Sequence, residues 1–175
     1  MNPVVFGSLI FIHVLSGILW ACGAYFFGAF VLPAIQEAGP GGGLVMGGVI
    51  KRRFPLYMTL WAGLCVLSGA ALWATDFNAK GGVDWLKHPE VAVLTLASLG
   101  ALHAFIKGLL VQKPTAERLG ALSIQAAQAQ GQPDPALLQE LQATQAKLAK
   151  LARGAGAELL GVAALMALHQ LLAQF

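Results

Sequence analysis

This chain is short of charge. Asp, Glu, Lys and Arg make up only 11% of its 175 residues, where a soluble domain carries about a quarter. So small a charged fraction excludes an ordinary water-facing surface, and lipid must be the solvent for much of the molecule. Cysteine is scarce as well: Cys22 and Cys65 both lie in apolar stretches, which reads as buried free thiols and says nothing of redox compartment. The opening Met1-Asn2-Pro3 carries no basic n-region, so the first apolar stretch is expected to be a retained helix and not a cleaved signal. The glycine-rich segment at Gly41 follows no strand and leads to no Gly-Lys-Ser/Thr, which excludes a phosphate-cradling loop. No nucleophile–base pair marks a hydrolase, no carboxylate cluster offers a di-iron site, and nothing points to nucleic acid as a partner.

What the chain does have is apolar length. Val4 to Ile35, Phe54 to Thr75, Val91 to Val111 and Ala155 to Leu172 each reach or approach the roughly 20 residues that a bilayer-crossing helix needs. The expected fold is all-α, an integral membrane four-helix bundle. A single transmembrane domain spans residues 1–175, with helices at about 4–35, 54–75, 90–113 and 153–173. The basic residues orient it. Lys51, Arg52, Arg53, Lys107, Lys113, Arg118, Lys147, Lys150 and Arg153 fall on the side of the first and third loops, and only Lys80 and Lys87 on the other. The positive-inside rule then gives a multi-pass protein of a bacterial-type inner (plasma) membrane, with both termini non-cytoplasmic. Trp73 and Trp85 fall where an outer aromatic belt is expected.

The loops differ. Pro33 to Arg53, with Gly41, Gly42, Gly43, Gly47 and Gly48, reads as a flexible connector. In the third loop Leu137, Leu141, Thr144, Leu148 and Leu151 repeat at spacings of four and three, a helical seam. Leu119, Leu122 and Ala126 form a weaker one, and Gly131-Gln132-Pro133-Asp134-Pro135 signals a turn between them. Residues 114–152 are therefore expected to extend the last two helices into the cytoplasm as an antiparallel hairpin, with a bend at Pro114.

Ionisable residues inside a span are costly and hence candidates for function. They are His13, His103, Lys107, Glu158 and His169. Lys107 and Glu158 match in depth, which predicts a structural ion pair. That pairing turns His103 and His169 inward. His13 heads a face with Gly17, Trp20 and Ala24; Gly17 and Gly100, each about one turn from a histidine, offer room for a flat macrocycle. Three inward imidazoles on three helices predict a cofactor site of the kind bundles build from facing side chains. Haem b with a histidine pair is the best fit; depth allows His13–His169 or His13–His103. The alternative is copper held by His13, His103, His169 and Met166. His88, just before Pro89, reads as a solvated loop residue or as a fourth ligand.

The run from His13 through Trp20, Ala21-Cys22-Gly23 and on to Pro33 resembles the first helix of CopD-like membrane proteins and of the HemJ type of protoporphyrinogen oxidase, where a tryptophan follows the histidine by seven. Arg52-Arg53-Phe54-Pro55 resembles the way that superfamily begins its second helix, and Ala101-Leu102-His103 its recurring third-helix histidine. The resemblance implies a haem-b-binding or metal-handling four-helix protein, with His13 and His103 as the family's histidines; His169 has no counterpart in it. The sequence departs from the HemJ pattern at Trp85-Leu86-Lys87-His88 and lacks Asn-Glu-x-Pro near the fourth helix, so the resemblance does not extend to protoporphyrinogen oxidation. The expected role is electron transfer or an oxidoreductase subunit, with quinone or a redox protein as partner. A homo-oligomer, a place in a larger complex, and a non-catalytic assembly subunit are the other readings.

Overall fold

A computed structural model describes residues 2–38, 40–129 and 133–174. All elements among them are helical, with no strand. In chain order they are α1 (Pro3–Glu37), α2 (Pro40–Lys51), α3 (Phe54–Ala79), α4 (Pro89–Gln128) and α5 (Pro135–Leu172). Four of these, α1, α3, α4 and α5, are long and apolar enough to cross a membrane. Their surfaces agree: Phe11, Leu67, Leu96 and Leu99 are all more than half exposed. Apolar exposure on this scale suits hydrocarbon and not water.

The helices run further than hydropathy alone marks. α4 and α5 continue well past their apolar segments, through residues 113–128 and 135–152. Each of α1 and α4 contains one π turn, Phe27–Val31 and Gly108–Gln112. Both sit just ahead of a proline, Pro33 and Pro114. A proline ring crowds the carbonyl four residues back and brings no N–H of its own. The π turn accommodates it: Leu32 bonds back to the Phe27 carbonyl and Lys113 to that of Gly108, five residues away. The strain at Pro114 is therefore spread over a wide turn inside a continuous helix.

The chain divides into two compact units. The first holds the residues up to Ala21, Leu60–Ile106, and those from Ala157 on. Between α3 and α4 its chain turns through Gly81 and Gly82, both at positive φ. Trp85 is buried and packs against Trp73 with ring centroids 5.8 Å apart, while Trp73 stacks on Phe77 at 5.3 Å. Trp85 thus plugs the turn.

The second unit holds Cys22–Thr59 and Lys107–Gly156. Its core joins Leu32, Ile35, Met46, Ala116, Leu119, Leu148, Ala149 and Ala152. Arg118 reaches Glu140 through two hydrogen bonds of 3.0 and 2.6 Å, and Gln112 donates to the Leu151 carbonyl at 3.1 Å. The expected turn at Gly131–Pro135 lies partly outside the described residues. The first loop corrects the sequence reading. It is not a flexible connector: α2 occupies most of it, with Met46 buried. Its glycines serve contact. A Cβ on Gly42 would fall 2.0 Å from the Ile35 carbonyl oxygen, so α2 presses on the end of α1 at a distance only glycine allows. Arg53, at φ 56°, then turns the chain into α3.

Candidate functional site

Three imidazoles, those of His13, His103 and His169, lie on helices long enough to span. His13 projects from α1 onto α3. Its Nδ1 lies 2.9 Å from the carbonyl oxygen of Cys65, and a carbonyl can only accept, so Nδ1 carries the proton and donates. In the neutral ring the lone pair is then on Nε2. The ring lies over Gly69, where a Cβ would come within 2.7 Å of Cε1 and 3.1 Å of Nδ1. Cys65 and Gly69 are four apart on α3, hence on one face. Neither was legible as part of the site, because a main-chain carbonyl has no sequence signature; the small residues Ser68-Gly69-Ala70 were the one available hint.

His169 repeats the pattern on α5. Its Nδ1 donates to the carbonyl of Glu90, 2.9 Å away in the first turn of α4, and again the Nε2 lone pair is left over. His88, exposed at the same turn, approaches the Glu90 carboxylate at 3.4 Å. This is the solvated loop position.

His103 differs. Its Nδ1 donates to the Glu158 carboxylate, a partner the sequence had not indicated; Glu158 and Lys107 each take part in further contacts as well. The His103 side chain is 66% exposed and that of Glu158 20%. The expectation that His103 looks inward is therefore wrong. Its flanking residues Leu99, Leu102 and Ile106 are exposed as well, and that side of α4 faces the surroundings.

These contacts fix levels within the first unit. Glu90, which holds His169, and His103 are thirteen residues apart on α4, about 20 Å along the axis. The two histidines cannot share one centre. The four residues of the copper reading, which include both, are thus not gathered at one point. His13 meets α3 between one and two turns inward of Trp73, at Gly69 and Cys65.

The room expected beside two glycines is taken by helix packing. A Cβ on Gly17 would meet Cys65 Sγ at 3.3 Å, and one on Gly100 would meet Val162 Cγ2 at 2.9 Å. Trp20 is buried on the His13 face, and Met166 is half-buried on α5. Of the cysteines, Cys65 is buried as expected but Cys22 is exposed.

No protein-family model, no curated protein and no solved structure matches the chain.

Proposed function

We propose that this is a membrane-embedded b-type haem protein, an electron-transfer or oxidoreductase subunit of the CopD-like and HemJ-like kind that its first helix resembles, with His13 and His169 as the axial pair. One observation carries the reading: two histidines on spanning helices each give Nδ1–H to a main-chain carbonyl and keep an Nε2 lone pair. That is how proteins orient an imidazole as a ligand, fixing its tautomer and ring plane and raising its basicity. The donor chemistry suits haem iron, which takes neutral imidazole nitrogen. Bound there, haem would supply one-electron redox chemistry. The chain's own part is to hold the two rings, keep water away with Trp20 and the Trp73–Trp85 plug, and set a low-dielectric surrounding. The main-chain anchoring common to His13 and His169, with the exposure of His103, favours this pair over His13–His103.

The distribution of Lys and Arg supports a plasma-membrane protein with both termini outside and residues 114–152 in the cytoplasm. The Arg118–Glu140 and Gln112–Leu151 contacts support an antiparallel arrangement of that extension. Partners in this reading are the lipid bilayer and a redox protein or quinone.

The test is a reduced-minus-oxidised spectrum of the protein purified from haem-replete cells. A b-type spectrum is expected in wild type and in His103→Ala, and its loss in His13→Ala and His169→Ala. A wild-type preparation with no such bands ends the reading, and a spectrum that survives both losses moves the ligands elsewhere.

A further inference from the structure

The His103–Glu158 pair is left without a task once the axial pair is assigned, and its setting is unusual. From Pro89, His103 lies about 21 Å along α4, and from Lys113 about 15 Å. With Pro89 and Lys113 taken as the two ends of the expected span, both distances carry it past the headgroup region. Yet its side chain is two-thirds exposed, among the exposed Leu99, Leu102 and Ile106. Nδ1 is held by Glu158, and Nε2 has no partner among the described residues. An ionisable pair in hydrocarbon is costly and marks a site by default.

We propose that His103 and Glu158 form a lipid-facing binding site for the ring of a membrane-dissolved quinone or quinol. Access to Nε2 is from the hydrocarbon, so the ligand must arrive through lipid. It must also carry a hydrogen-bonding oxygen to this depth, which phospholipid ester and headgroup oxygens do not reach. A quinoid ring on an apolar tail meets both conditions. The dyad suits both of its oxidation states: with Nδ1 protonated, Nε2 accepts from a quinol hydroxyl, and with both nitrogens protonated, Nε2–H donates to a quinone carbonyl while the Glu158 carboxylate balances the charge. Space for a flat ring is present beside the pair. Gly161, less than one turn beyond Glu158 on α5, is exposed and has no atom within 4 Å of the place a Cβ would take. Ring binding needs no electron acceptor and does not depend on the haem reading.

The full chain in phosphatidylcholine nanodiscs would be photolabelled with a short-tailed azidoquinone and the labelled peptides mapped. Label is expected on the segments around His103 and Gly161, removed by excess unlabelled quinone. His103→Leu should weaken competition by about tenfold, the loss of one hydrogen bond to a desolvated oxygen. Gly161→Leu fills open space without a clash, so it keeps the fold and should block labelling sterically. The proposal is overturned if label spreads over all lipid-facing helices without competition, if Gly161→Leu labels like wild type, or if a cross-linked second copy covers His103 and no label enters. Haem spectra recorded on the same samples separate the two readings: neither variant should change them, and missing haem with intact, competed labelling sinks the haem reading alone.

Discussion

An imidazole in hydrocarbon has two nitrogens to satisfy, and the three membrane histidines each satisfy one through Nδ1. For His13 the partner is a helical carbonyl that already accepts within α3, which works because a carbonyl oxygen has a second lone pair. The ring reaches that oxygen only because residue 69 has no side chain. Gly69→Ala should therefore act on His13 without touching it: the added methyl at 2.7 Å from Cε1 has to displace the ring. The expected loss is about 1–3 kcal/mol of stability, as for other overpacked cores, read as a lower midpoint of thermal unfolding in detergent. An unchanged midpoint would mean that the ring does not lie over residue 69. The histidines themselves were legible as charged-capable residues in apolar runs. Their partners were not, since Cys65 and Glu90 contribute main-chain oxygens, and the depth match of Glu158 to Lys107 gave no sign that His103 also reaches that carboxylate.

At the scale of the element, glycine misled and leucine did not. A glycine-rich stretch reads as a flexible joint because each glycine weakens a helix by about 1 kcal/mol relative to alanine. In α2 that cost is offset by tertiary contact, with Met46 buried and Gly42 pressed on Ile35. Leucine spacing instead reports a face directly: Leu119, Leu122 and Leu148 are all buried. This distinguishes two variants in the extension of α4 and α5. Leu148→Ala removes a side chain that is 3% exposed and should cost about 2–5 kcal/mol. Glu140→Ala breaks the ion pair to Arg118, but both partners are about half exposed, so it should cost under ~1 kcal/mol. Denaturant or thermal unfolding of the two variants should show that order; equal losses would place the weight of the extension on its charges.

For the whole molecule the deciding quantity is where positive charge lies along the chain. Nine of the eleven Lys and Arg residues fall on one side of the expected spans, which predicts that a phosphatase reporter fused after Leu172 is active outside the cytoplasm, while one inserted near Ala129 is inactive. The reverse pattern would invert the topology. The four apolar helices, their order and their approximate lengths were determined by the sequence alone, because hydrocarbon demands long uninterrupted apolar segments whatever they pack against. Tertiary structure alone decided which nitrogen each histidine keeps, which carboxylate meets His103, and that the Gly41–Gly48 segment is helix. Those outcomes turn on contacts between residues far apart in the chain, several of them to main-chain atoms common to every residue type. Periodicity and composition carry no record of such contacts.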